Sequence, residues 1–205
     1  MKTIAFLSQK GGSGKTTLAV HTAVAAHEAG ERVVLIDTDP QKSATVWSEN
    51  REFDYPIVAT ASASDLTKVL NAAIEENITL AIVDTAPHAA PEATKIAKEV
   101  DLVVIPCRPT AFDIAAVSNA VNIIKAANVK FVFVLSACPF RSPEIEETRE
   151  LLNSQYQVPV APTAIIDRRS FARAIASGKS VTEFESNGKA AIEIETLWKC
   201  LKEQL

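Results

Sequence analysis

Six apolar runs of strand length recur along the chain, at residues 3–7, 33–36, 80–83, 102–105, 131–135 and 164–166, several of them rich in β-branched residues. Segments with helical spacing of apolar positions separate them. A continuous apolar run suits a strand buried on both faces, whereas a half-exposed antiparallel strand alternates apolar and polar residues. The pattern therefore predicts an α/β fold, a doubly wound, mostly parallel sheet with helices on both faces. Boundary residues agree. Gly30 supplies a left-handed stop for a helix over 16–29, Ser64 or Asp65 caps one over 66–76, and Ser142-Pro143 opens one over Glu144–Tyr156. A final helix over 190–205 gathers Ile194, Leu197, Trp198, Leu201 and Leu205 at helical spacing.

Composition narrows this picture. With 205 residues, 47% of them hydrophobic and 22% charged, one domain spanning 1–205 with a sizeable buried core is expected. No repeat, low-complexity tract or Gly/Ser linker interrupts it. No apolar run approaches the roughly 20 residues needed to cross a bilayer, and the first strand follows the N-terminus with no signal-peptide pattern, so a cytoplasmic protein is expected. With the first strand so early, no N-terminal DNA-reading domain is expected. Cys107, Cys138 and Cys200 are far apart with no CxxC spacing, and His21, His27 and His88 lack metal-ligand company, so these residues are read as structural. A net charge of −4 argues against whole-surface attraction to nucleic acid but leaves room for a local basic patch.

The chemistry begins at Gln9-Lys10-Gly11-Gly12-Ser13-Gly14-Lys15-Thr16-Thr17, directly after the first strand and at the start of a helix. That is the context a phosphate loop needs. Glycines 11, 12 and 14 let backbone N–H groups converge on phosphate oxygens, Ser13 lies within the same cradle, and the helix N-terminus adds its positive dipole end. Lys15 is placed to reach the β- and γ-phosphates and the Thr16 hydroxyl to ligate magnesium, with Thr17 completing the loop. Two further segments end apolar strands in carboxylates: Val33-Val-Leu-Ile-Asp37-Thr-Asp39-Pro40-Gln41 and Leu80-Ala-Ile-Val-Asp84-Thr-Ala-Pro87. Acids crowded at the carboxyl ends of parallel strands, where such sheets bind ligands, repel one another unless a cation is near. Thr16, Asp37, Asp39 and Asp84 are the expected magnesium set.

Gln9 departs from the standard P-loop, which has glycine there, and the departure comes with a second lysine, Lys10. Lys10-Gly-Gly-Ser-Gly-Lys15-Thr-Thr resembles the deviant Walker A motif of the ParA/MinD superfamily, and Asp37-Thr-Asp39-Pro-Gln looks like the switch I segment of ParA partition ATPases. The resemblance implies ATP and Mg2+ as cofactors and a homodimer closed over two nucleotides, with Lys10 crossing to the partner's ATP. It makes Lys10, Lys15 and Asp39 the catalytic residues, Asp39 orienting the attacking water while Asp37 supports the strand end and the metal shell. Asp84 reads as Walker B, and residues 85–91 as switch II. The run from Val103 to Asp113, with Pro106 and Pro109, resembles the family's Pro-rich turn before a helix near the dimer face. The stretch from Thr163 to Val181 resembles the part that closes over the base and carries basic residues, so Arg168, Arg169 and Arg173 are expected to bind DNA without sequence preference. A ParB-type or other adaptor would stimulate hydrolysis, and the ATP-bound form would associate with the nucleoid.

Two other readings compete. A MinD-like membrane-cycling ATPase would use an amphipathic C-terminal helix with a basic face, but Glu193, Glu195 and Glu203 dilute the charge of residues 190–205. A metabolic ligase or a nitrogenase-like electron-transfer ATPase would need a substrate pocket or cluster-binding cysteines, and neither is evident in the sequence.

Overall fold

The computed structural model describes residues 1–87 and 90–205. Six strands form one sheet: β1 (Lys2–Phe6), β2 (Val33–Asp37), β3 (Ile57–Thr60), β4 (Leu80–Asp84), β5 (Leu102–Cys107) and β6 (Lys130–Leu135). Their order is β3-β2-β4-β1-β5-β6 and every pairing is parallel. The chain runs outward from β1 through β2 to β3, returns at β4, and leaves the other way through β5 to β6. The carboxyl ends of β1 and β4, adjacent in register from Lys2 opposite Leu80 to Phe6 opposite Asp84, are thus left beneath connections that diverge.

Helices α1 (Lys15–Glu28), α2 (Ser43–Glu49), α3 (Leu66–Glu75), α4 (Ala90–Lys98), α5 (Ala111–Ala127), α6 (Glu144–Tyr156), α7 (Arg169–Ala176), α8 (Val181–Phe184) and α9 (Lys189–Gln204) cover both faces. Alternate residues along β1 and at Leu7 just beyond it show how the two cores divide. Ile4 and Phe6 pack with residues of α1, α2, α7 and α9, while Ala5 and Leu7 pack with residues of α3, α4, α5 and α6. Full burial of each large apolar side chain contributes about 1.5–3 kcal/mol before conformational entropy is counted. Helix α1 is apolar nearly all round because the sheet lies on one side of it and α9 on another: Leu18, Val20, Ala23 and Val24 are all buried. The stripe Ile194, Leu197, Trp198 and Leu201 of α9 belongs to that same core.

The strand expected at 164–166 is not a member of the sheet. Its residues extend along the end of β6, where Ile165 N donates to Leu135 O and Asp167 N to Cys138 O, each at 2.8 Å, but only an isolated bridge between Cys138 and Ile166 forms. The sixth strand is instead Ile57–Thr60, which has no fully buried residue. As a short edge strand behind Pro56 it carries no long apolar run, and that is why its periodicity was silent.

Candidate functional site

The loop between β1 and α1 arches over the crevice where those connections diverge. Gly14 serves as N-cap of α1 at φ +96° and Gly12 sits at φ +72°, left-handed conformations that favour glycine. The loop is braced from outside, since the Ser136 hydroxyl, just beyond β6, donates to Ser13 O at 2.7 Å. Lys15 is buried, and its Nζ donates to Lys10 O at 3.3 Å. Burial holds its pKa below the ordinary lysine value, and Asp84 and Asp39 pull it back up.

Asp84, at the end of β4, is fully buried, and among the described residues neither of its oxygens has a hydrogen-bond partner. Burial pushes its pKa up to about 7; the Thr16 hydroxyl beside it, which favours the charged form without reaching hydrogen-bond geometry, does not reverse this. A lone buried carboxylate of this kind, next to a threonine hydroxyl and a lysine, fits a divalent cation. Asp37 differs. Its Oδ2 accepts from Thr45 N at 2.9 Å and Thr45 Oγ1 at 3.0 Å, and its Oδ1 accepts from Asp39 N at 3.1 Å. It fastens the turn after β2 to the start of α2. Asp39, half-buried, accepts from Gln41 N at 2.9 Å and faces the crevice. Among the described residues no three His, Cys, Asp or Glu side chains are grouped to hold a metal, so the expected ligand set of Thr16, Asp37, Asp39 and Asp84 is not gathered as one cluster.

The crevice itself has a volume of about 480 Å³. The loop from Gly11 to Thr17 lines it together with the apolar side chains Ile165, Ile166, Phe171 and Ile175. Of the expected switch II, the Thr85 hydroxyl donates to Phe6 O at 2.7 Å and Pro87 lines the crevice, while His88 and Ala89 lie outside the described residues.

The expected DNA-binding trio divides. Arg168 lines the crevice and is held by Glu193 of α9 at 2.6 Å, and the other oxygen of that carboxylate accepts from Ile166 N at 3.1 Å. Arg169 and Arg173, one helical turn apart on α7, are exposed, the second with its guanidinium 5.6 Å from the centre of the Phe184 ring. Arg168 therefore does not share their surface.

Three participants had no role assigned from sequence. Asp113 of α5 takes the Lys10 ammonium at 2.5 Å. Ser136 braces the loop, and Arg108, after β5, lines the crevice. The spacing of Thr110 and Asp113 was a legible signal of a helix start: the Thr110 hydroxyl accepts from Asp113 N at 3.3 Å. Nothing local announced the pairing with Lys10. Of the described histidines and cysteines, His21 is buried and its Nδ1 accepts from Val181 N at 3.2 Å, His27 stacks on Tyr55, and burial pushes the Cys107 and Cys138 thiols up to about 12.

A parallel sheet whose first βα turn is a glycine-rich phosphate loop, followed by strand-end carboxylates, defines a P-loop nucleotide-binding protein. Residues 4–181 match the CobQ/CobB/MinD/ParA nucleotide binding domain. The chain belongs to that family, and so to the ParA/MinD group of ATPases. It is 30% identical to the maintenance of carboxysome distribution protein A of Gloeobacter kilaueensis, over the whole chain and 94% of the relative. Identity to the protein ParA of Rhizobium radiobacter is 25%, over 94% of this chain and 92% of that one. The septum site-determining protein MinD of Pyrococcus horikoshii, solved with Mg-ADP, superimposes with a TM-score of 0.79 at 15% identity, over 98% of this chain and 95% of that one.

Proposed function

We propose that residues 1–205 act as one ParA-type ATPase domain: it binds ATP with magnesium, pairs with a second copy across the two nucleotides, binds DNA without sequence preference, and is reset when an adaptor protein stimulates hydrolysis. The work done is the segregation or positioning of a large cargo, a plasmid, a chromosome region or a protein assembly, in the cytoplasm and on the nucleoid. The observation that carries this reading is a lysine at the lip of the phosphate crevice in addition to the one inside it. Lys15 lies buried within, whereas Lys10 keeps 38% of its side chain exposed and leaves its own loop to meet Asp113. A monomeric nucleotide hydrolase has no evident need for that outer cation, while a dimer closed over two triphosphates gives it an anionic partner.

In this reading the backbone from Gly11 to Thr17 and the Lys15 ammonium bind the phosphates, and the apolar side chains that line the same crevice take the base. Asp84 and Thr16 hold magnesium, which supplies charge neutralisation on the phosphate oxygens. Asp39, oriented by the turn that Asp37 anchors, positions the attacking water. Phe112, 82% exposed and adjacent to Asp113, gives the pairing face an aromatic anchor. Arg169 and Arg173 supply the cations for phosphate contacts with DNA, doubled in number when two copies pair. The full-length similarity to a carboxysome distribution protein supports positioning of a bulky cargo. Against membrane cycling stands α9, whose apolar stripe is already buried on α1.

The test is light scattering with a slowly hydrolysed ATP analogue and magnesium, followed by titration of unrelated labelled duplexes. The expected outcome is a doubled mass with the analogue and not with ADP, DNA affinity only in the paired form, and loss of that affinity in the Arg169→Glu, Arg173→Glu variant while pairing persists. A mass unchanged at saturating analogue refutes the dimer, and DNA binding untouched by the charge reversal refutes the α7 patch.

A further inference from the structure

We infer that Arg108 is a second phosphate-gripping cation of the crevice, one that takes hold of the nucleotide bound by its own chain's loop. The inference rests on the nucleotide-binding reading above and extends it to a residue that the family motif does not mark.

Three cationic side chains line the crevice: Lys15, Arg108 and Arg168. Two are already committed. Lys15 donates to Lys10 O and lies within the field of Asp84 and Asp39, and Arg168 is paired with Glu193. Lys10, at the lip, is paired with Asp113. The Arg108 guanidinium, by contrast, makes no hydrogen bond, ion pair or ring contact among the described residues. Arg108 is exposed, and a guanidinium offers five N–H donors and accepts nothing, so one that lines a concave phosphate site with no protein partner is open to an anion.

The backbone holds this cation beside the phosphate loop. Arg108 stands between Pro106 and Pro109, each with φ fixed by its ring, and its carbonyl accepts from Thr110 N at 2.8 Å in a tight turn. On one side of its strand, Phe6 pairs with Val104 and Leu7 N donates to Val104 O at 2.9 Å, which puts residue 108 alongside the beginning of the phosphate loop. On the other side, Ser136 N donates to Cys107 O at 2.9 Å, and the same serine braces Ser13. Arg108 is thus flanked by the two segments that shape the loop. The planar fork matches two phosphate oxygens at once, which an ammonium cannot do. Because it lines the same crevice as Lys15, the nucleotide it grips is the one in its own chain.

Calorimetric titration of ATP, ADP and adenosine into wild type, Arg108→Gln and Arg108→Lys tests this, at protein concentrations where the ADP form is a monomer and with melting curves to confirm folding. Expected is a loss of affinity of about 10-fold or more for both ATP and ADP in Arg108→Gln. Arg108→Lys should fall between, and adenosine, which has no phosphate, should bind all three proteins alike. Unchanged ADP affinity in Arg108→Gln overturns the inference and leaves the nucleotide reading standing. An equal loss for adenosine also overturns it, because the residue would then shape the site without touching phosphate. Wild type that binds neither ATP nor ADP overturns the nucleotide reading itself, and this inference with it.

Discussion

The Lys10 ammonium lies 2.5 Å from the Asp113 carboxylate, an ion pair closed within one chain between residues 103 apart in sequence. The same Asp113 oxygen takes the Thr110 hydroxyl at 2.5 Å, so the pair is built on the first turn of α5. If Lys10 serves a partner's nucleotide, this contact must open before two copies close, and Asp113 competes with the partner's phosphates for one cation.

That competition sets the first prediction. Asp113→Asn keeps the shape of the helix start and removes the charge, so ATP-dependent pairing should tighten by roughly 2- to 5-fold, the small gain expected for a partly exposed ion pair. Lys10→Ala should abolish pairing and leave ATP binding by the monomer in place. Sedimentation velocity with the slowly hydrolysed analogue reads both, and weaker pairing in Asp113→Asn would show that the contact supports the dimer.

In the proposed function Asp39 and Lys15 divide chemistry from binding. Asp39→Ala should retain ATP affinity and pairing while phosphate release falls by about 100-fold or more, the scale of a lost general base. Lys15→Ala removes a buried cation from the loop and should weaken ATP binding itself. Equal loss of affinity in the two variants would refute the division.

In the proposed function Asp84 gives up stability in the free protein for metal binding. Its carboxylate is buried without a partner among the described residues, so Asp84→Asn should raise the melting temperature of the nucleotide-free protein at pH 8, by about 2–4 °C for each kcal/mol of relieved burial penalty. The sign follows from its raised pKa. The folded state prefers the protonated acid, so stability present below pH 3.8 is lost as pH rises toward about 7. The same variant should lose the strengthening of ATP binding by magnesium. A lower melting temperature would mean that the charge is satisfied in the free protein.

His21 should make the fold acid-sensitive. Burial holds its pKa down to about 3, from 6.5 in the unfolded chain, so its contribution is intact above pH 6.5 and declines as pH falls toward 3. By pH 5 the loss should be about 2 kcal/mol. His21→Gln, which keeps an acceptor for Val181 N–H, should flatten that part of the profile in denaturant melts. Parallel profiles for the two proteins would place the acid sensitivity elsewhere.

The phosphate loop, five of the six strands and the four helices whose bounds the sequence marks were legible because each depends on neighbours along the chain. Gly11, Gly12 and Gly14 mark a loop through local backbone freedom, and a strand buried on both faces must be apolar at every position. Strand β3 escaped because an edge strand without full burial has no such constraint. Tertiary structure alone decided the rest. It turned Lys10 toward Asp113, spent Arg168 on Glu193, and gave both Asp37 oxygens to the turn beyond β2 while leaving both Asp84 oxygens bare. It also buried the apolar stripe of α9 on α1 and left Arg108 at the crevice without a partner among the described residues. A charged side chain is defined by the partner within hydrogen-bond reach and by the water it has lost, and both are set by residues far away in sequence.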